Sequence, residues 1–256
     1  MERVKRFLSS TLGMKAVVAM TGVILFGFVV LHMIGNLKTF TGTDDNGVPH
    51  IDDYAHFLRT MGEPMLPHGF ALWATRIVLT VALLLHVGMV IAVQRRNRAA
   101  RPIGYDHRPV RVVSSVAART MLVSGVGILV FVIIHLLQFT TGTIQLTPIV
   151  PEQVYANLYN TFAVWYIALF YVVAMVLLGF HLYHGVWSLF QTLGVDNPDR
   201  NRVLRLAAAI AAVGMVAGFS SVPLLFTLGL MPAPPANAKL ATETTAVAAT
   251  PPEHVP

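Results

Sequence analysis

Five histidines lie inside long apolar stretches of the sequence, where an imidazole has almost no water to bond. They are His32, His86, His135 and His181, with His184 three residues after His181. An imidazole left unpaired in hydrocarbon costs several kcal/mol, so intramembrane histidines usually bind a cofactor or pair with a neighbouring group. Imidazole nitrogen is also a common axial ligand of haem iron. These positions therefore indicate either iron ligation or hydrogen bonding between helices.

The elements that carry these histidines are expected to be membrane-spanning helices. The chain has 256 residues, of which 55% are hydrophobic and 12% charged, and its mean hydropathy is +0.66. This composition excludes an ordinary soluble domain. A helix needs about 20 apolar residues to cross a bilayer. We predict an all-α integral membrane protein with five transmembrane helices at about 16–36, 70–93, 119–139, 162–190 and 206–230.

The segments outside these spans differ in composition. Residues 1–15 form a basic amphipathic segment suited to the membrane surface, and residues 55–61 are expected to form a short interfacial helix. Residues 231–256 are rich in Ala, Pro and Thr, and we expect disorder there. Because the chain has no Cys, thiolate-bound iron–sulfur clusters and covalent haem attachment are excluded.

Arginines between the second and third spans predict the orientation of the chain. Residues 94–119 hold seven arginines and one acid, Asp106. Cytoplasmic loops carry an excess of Lys and Arg, so this connection and the N-terminus are placed in the cytoplasm, with the C-terminus outside. The net charge of +6 then reports membrane orientation, and no nucleic-acid partner is expected.

With this orientation, the histidines fall into two layers. At 1.5 Å per residue, His32 and His135 lie about 24 Å from the cytoplasmic ends of their helices. By the same rise, His86 and His181 lie about 10 to 14 Å from the cytoplasmic ends of theirs. Two pairs at two depths are what a four-helix bundle needs to hold two haems by bis-imidazole ligation. We predict that the first four spans surround two non-covalent haems b, with the fifth span peripheral.

Alternatives remain open at this point. In one, the histidines only bond neighbouring helices, as in a haem-free anchor or transporter. A bare metal site fits less well, because no Glu or Asp lies in any span and the carboxylates of di-iron bundles are therefore missing. His184 shares a helix face with His181; we favour His181 as the ligand and His184 as a supporting donor to a haem propionate or a quinone. Trp187 is interpreted as an interfacial anchor.

A faint internal repeat accompanies the histidines. H-M-I-G-N-L-K-T-F-T-G-T follows the first span, and H-L-L-Q-F-T-T-G-T follows the third. The first two spans are then expected to correspond to the third and fourth, although a single echo is weak evidence for duplication.

The sequence resembles the haem b membrane-anchor subunit of succinate dehydrogenases and fumarate reductases, of the single-chain, five-helix, dihaem type. The resemblance covers about residues 10–230. Its motifs are F-H-L-Y-H-G-V-W-S-L-F-Q-T-L-G at 180–194, H-M-I-G-N-L at 32–37, Y-A-x-F-L-R at 54–59, L-L-L-H ending at His86, and R-T-M-L-V-S-G leading to I-I-H-L-L-Q-F-T-T-G. The resemblance implies His32 with His135 on the outer haem and His86 with His181 on the inner one. One position departs: some dihaem fumarate reductases carry an acid where this chain has Gly179.

The resemblance also implies a function. The subunit would hold no catalytic residues for succinate and would anchor a flavoprotein and an iron–sulfur protein on the cytoplasmic face of a bacterial cytoplasmic membrane. Electrons would pass through the two haems to a quinone, with menaquinone expected, and the complex could form a higher oligomer. Quinone sites of the family lie near the outer haem, which makes Glu63, His68, Trp73 and Arg76 candidates. The haem b subunit of another respiratory oxidoreductase is an alternative with the same chemistry.

Overall fold

The structure is a computed structural model that describes Glu2, Arg6 and residues 9–100 and 116–235. Within these ranges the chain forms seven α-helices and no strand. They are α1 (Thr11–Leu37), α2 (His50–Thr60), α3 (Phe70–Ala99), α4 (Val116–His135), α5 (Val154–Phe162), α6 (Trp165–Thr192) and α7 (Asn201–Thr227). A 3-10 turn extends α1 over Lys38–Phe40, and a π-helical turn extends α4 over Leu136–Thr140.

Five of these helices, α1, α3, α4, α6 and α7, are long and apolar enough to cross a membrane. Helices satisfy their own backbone hydrogen bonds, which is why they can span hydrocarbon. Large apolar side chains such as Leu84, Val123 and Ile210 are exposed on their outward faces, as lipid contact requires. The prediction of an all-α, multi-pass membrane protein is confirmed.

The helix ends differ from the expected limits at several places. The first spanning helix already begins at Thr11, where the Ser10 hydroxyl accepts a hydrogen bond from the Gly13 N–H at 3.0 Å, so residues 11–15 belong to that helix. Most of residues 1–8, and the tail from 236 onward, lie outside the described residues. The interfacial helix is longer than expected, and α5 was not predicted, because its nine residues lie between turn-forming prolines and the next span.

The spanning helices pack as two antiparallel pairs, α1 with α3 and α4 with α6, which α7 joins. The expectation of a peripheral fifth span needs correcting. The α6–α7 interface is the most extensive in the bundle, and α7 also contacts α1. Lack of a histidine does not make a helix remote, because the small side chains along α7, such as Ala208 and Ala212, let it approach α6 closely.

Gly179 provides a test of this close packing. A Cβ built at Gly179 would lie 2.5 Å from Cγ2 of Val216 on α7. Because valine is stiff at χ1, Gly179→Ala should destabilise the protein by about 1–3 kcal/mol through overpacking. Thermal unfolding of the detergent-purified protein measures this. Gly214→Ala is the matched control, since a Cβ there meets nothing within 4 Å. A midpoint for Gly179→Ala that equals or exceeds that of the unsubstituted protein would contradict the close packing.

The end of the bundle at which α1 finishes is closed by α2 and α5. Tyr155, Phe162 and Tyr171 form one buried cluster there with Phe226 of α7. The Tyr155 N–H donates to Oδ1 of Asp52 at 2.9 Å and so ties α5 to α2. Burial raises the pKa of the Asp52 carboxyl, and the backbone N–H groups at the start of α5 partly offset that shift. Helices α2 and α5 and this cluster lie at the end of the bundle that contains His135.

Candidate functional site

The four histidines meet in two pairs. His32 of α1 faces His135 of α4, with ring centroids 6.0 Å apart and planes at 74°. His86 of α3 faces His181 of α6, with centroids 6.4 Å apart and planes at 59°. These are the two pairs expected from their depths in the membrane. We call His32 and His135 the outer layer, and His86 and His181 the inner layer.

The spacing of each pair suits two ligands of one metal. Nitrogen-to-metal bonds of about 2 Å, made from opposite sides by two imidazoles, place the ring centroids about 6 Å apart. The donors come only in twos: in the described ranges, no group of three or more His, Cys, Asp or Glu side chains could hold a metal ion. A pair of opposed imidazoles with no third protein ligand fits haem iron, whose macrocycle supplies the other four nitrogens.

In the inner layer, a threonine of α1 fixes the tautomer of His86. The Thr21 hydroxyl donates to the Val17 carbonyl at 2.7 Å, and it lies 3.1 Å from Nδ1 of His86. Since its one hydrogen is used on the carbonyl, the hydroxyl must accept from His86 Nδ1–H. The lone pair of Nε2 is then free for iron, which is how ligating histidines are commonly held.

In the outer layer, Tyr171 of α6 does the same for His135. The Tyr171 hydroxyl donates to Oε1 of Gln138 at 3.0 Å and lies 3.3 Å from Nδ1 of His135. With the Gln138 oxygen as its acceptor, the hydroxyl accepts from Nδ1–H and leaves Nε2 free. Gln138 is fully buried and belongs to the π-helical turn that follows His135. Such turns often occur at functional sites.

Aromatic rings hold the outer histidines in place. Phe28 stacks on His32 with centroids 5.4 Å apart, and Phe131 stacks on His135 at 5.6 Å. Phe219 of α7 also contacts His32, at 5.8 Å. The fifth span therefore takes part in the outer layer although it supplies no ligand.

Four positions of α1 recur at a constant spacing in α4. Thr21, Gly22, Phe28 and His32 recur 103 positions later as Ser124, Gly125, Phe131 and His135. A Cβ at Gly22 would lie 3.5 Å from Cε1 of His86, and a Cβ at Gly125 would lie 3.5 Å from Cε1 of His181. Helix α1 thus presents Gly22 to His86 of α3, and α4 presents Gly125 to His181 of α6. This constant spacing is the signal that could have found these glycines and Thr21 in the sequence.

His181 and His184 face different neighbours. His181 faces His86, whereas the ring of His184 lies 6.1 Å from that of Trp187, edge to face. Nδ1 of His181 is buried beside the Met121 carbonyl, outside hydrogen-bond geometry. His181 is therefore the histidine of α6 that completes a pair.

The residues expected near a quinone form two separate pairs on the surface. Nδ1 of His68 lies 2.8 Å from Oε1 of Glu63, and both side chains are exposed. The guanidinium of Arg76 lies 4.9 Å from the centre of the Trp73 ring. An open cleft of about 660 Å³ lies elsewhere at the outer end of α1, and its lining residues are Lys38, Thr41, His50, Asp53, Tyr54 and Phe57. Sequence reasoning named none of these as a candidate.

One known protein family has a sequence model that matches part of this chain. The family model of the succinate dehydrogenase/fumarate reductase transmembrane subunit matches residues 96–219. Over these residues, slightly less than half of the chain, the sequence is similar to this family. No curated protein and no solved structure matches the chain.

The family match covers one histidine of each pair. It takes in α4 with His135 and α6 with His181. His32 and His86 lie before the matched residues, so their roles depend on their geometry opposite the matched partners. Subunits of this family in general bind haem b and quinone, and the opposed imidazoles fit the first of these.

Proposed function

We propose that the chain is the dihaem cytochrome b anchor of a succinate:quinone oxidoreductase complex. In this role it passes electrons from an iron–sulfur partner through two bis-histidine haems to a quinone. The observation that carries the proposal is the pairing of His32 with His135 and of His86 with His181, with ring centroids 6.0 and 6.4 Å apart. The family match supports the complex to which the chain would belong.

In this proposal His32 and His135 hold the outer haem, and His86 and His181 hold the inner one. Haem bound at each layer supplies one-electron transfer, and two imidazoles leave the iron no open position for oxygen. The chain's own groups do the rest. Tyr171 and Thr21 keep the ligand nitrogens in the tautomer that can bind iron, and the surrounding helices exclude water from the path between the layers.

The proposed topology places the soluble partners at the inner layer. The arginine-rich residues 94–119 and the basic turn before α7 mark the cytoplasmic face by the excess of Lys and Arg in such loops. A flavoprotein and an iron–sulfur protein would dock there, on a bacterial cytoplasmic membrane, with the N-terminus inside and the C-terminus outside. Electrons then enter at the layer nearer to these partners. The chain itself contributes no residue to succinate chemistry.

The quinone, for which we propose menaquinone, would bind at the outer end. Glu63, His68, Trp73 and Arg76 remain candidates there, and the cleft beside Tyr54 offers the amine of Lys38 and the imidazole of His50 as donors to a carbonyl. No Asp or Glu lies in any spanning helix, so we propose no carboxylate relay for protons across the membrane.

An optical spectrum tests this function. The detergent-purified protein reduced with dithionite should show b-type bands, and pyridine haemochrome should give about two haems per chain. The same chain purified from haem-starved cells is the control for the background absorbance. A folded protein without haem would overturn the proposal in favour of a haem-free anchor or transporter, and one haem per chain would contradict the two layers.

A further inference from the structure

Three polar side chains near the inner ends of α6 and α7 have buried atoms that the ligand pairs do not use. They are Nδ1 of His184, Nε1 of Trp187 and Nε of Arg205, and each lacks a hydrogen-bond partner in the described part of the chain. Trp187 is only 6% exposed, which corrects its interpretation as an interfacial anchor. An N–H group buried without an acceptor is uncommon in a folded protein and calls for one.

Arg205 and His184 both contact the indole of Trp187. The Arg205 guanidinium carbon is 4.2 Å from the centre of the Trp187 ring, and the His184 ring meets the same indole edge to face at 6.1 Å. The guanidinium therefore lies over the indole, a contact that uses its positive charge and leaves its N–H donors available. The ion pairs among the described residues, His50–Asp53 and His68–Glu63, involve neither α6 nor α7. The cluster thus presents donors and a permanent positive charge without an acid.

The chemistry of these donors selects a carboxylate. Guanidinium matches the geometry of a carboxylate, and neutral N–H groups beside it add hydrogen bonds to the same oxygens. Along α6, His184 and Trp187 lie about 4.5 and 9 Å beyond His181 in the direction of the C-terminus. A haem bound by His181 carries two carboxylates, its propionates, at one edge of the macrocycle.

We propose that His184, Trp187 and Arg205 form a carboxylate site that binds the propionates of the inner haem. The inference rests on the proposed function, because it requires a haem on His86 and His181. It goes beyond that function by assigning Arg205 and Trp187 to haem binding and by giving the inner haem its orientation, with the propionates toward the C-terminal end of α6.

Haem reconstitution of the full chain tests the site. Membranes from haem-starved cells are titrated with protohaem or with its dimethyl ester, whose carboxylates are blocked, and the inner haem is followed optically. In Arg205→Gln, affinity for protohaem at the inner layer should fall about tenfold, as for loss of other groups that support a ligand. Affinity for the dimethyl ester should not change. Arg202→Gln is the matched control, because Arg202 is exposed on the same helix.

Trp187→Phe provides a second variant in case Arg205→Gln does not fold. It keeps the aromatic face under Arg205 and removes only the N–H, so it should show a smaller loss with protohaem and none with the ester. The proposal would be overturned if, in both variants, the affinity for protohaem changed no more than the affinity for the dimethyl ester. So would release of the iron–sulfur partner from Arg205→Gln with haem retained, which would assign the site to a partner carboxylate. A wild-type chain that binds no haem would refute the proposed function itself.

Discussion

Replacing His135 with leucine should reduce the haem content from about two per chain to about one. His135 faces only His32 across the outer layer, and without an opposed imidazole the outer haem loses one of its two axial bonds. The inner haem should be retained, because its ligands are the other pair, His86 and His181, which contact each other. Pyridine haemochrome gives the stoichiometry, and the reduced spectrum shows which component is lost.

The pairing of the histidines also predicts which variants should lose the same haem. His32→Leu should remove the same spectral component as His135→Leu, while His86→Leu should remove the other. His56→Leu serves as the control, since His56 is exposed on α2. If His32→Leu and His135→Leu removed different components, the pairs would be wrong. His135→Met covers the case of misfolding, because methionine can also bind haem iron and a His/Met haem has a raised potential.

The histidine pairs were predictable because membrane geometry simplifies the problem. A spanning helix has a known rise and a direction set by its flanking charges, so sequence position converts to depth. His86 and His181 each lie sixteen residues after the first residue of their helices, α3 and α6. Two residues at equal depth on helices of one bundle are then expected to lie close together.

The groups that support the ligands were not predictable in the same way. Tyr171 is 36 residues from His135 and bonds to it through the rotation of α6 about its own axis, which depth does not specify. The cluster of Trp187 and Arg205 likewise depends on how α7 lies along α6. The contact of Phe219 with His32 has the same origin. Side-chain packing between helices sets these angles, and the apolar pattern alone leaves them open.

Tyr171→Phe should raise the midpoint potential of the outer haem. The Tyr171 hydroxyl accepts from Nδ1–H of His135 because its own hydrogen goes to Gln138. Such a hydrogen bond makes the imidazole a stronger electron donor and so stabilises ferric iron. Phenylalanine keeps the aromatic packing around His135 and removes the hydroxyl, which is both the acceptor for His135 and the donor to Gln138. A tenfold change in the reduced-to-oxidised ratio at a fixed potential corresponds to about 59 mV for one electron, and a shift of that order is expected.

Thr21→Val gives the matching change in the inner layer, since Thr21 accepts from His86 in the same way. Potentiometric titration with optical detection should show Tyr171→Phe moving only the outer component and Thr21→Val only the inner one. Tyr159→Phe is the control, because Tyr159 packs on Phe226. Equal shifts of both components in either variant would mean a general change in haem exposure. A separate response of each layer would show that each haem potential is set by one hydroxyl on a neighbouring helix.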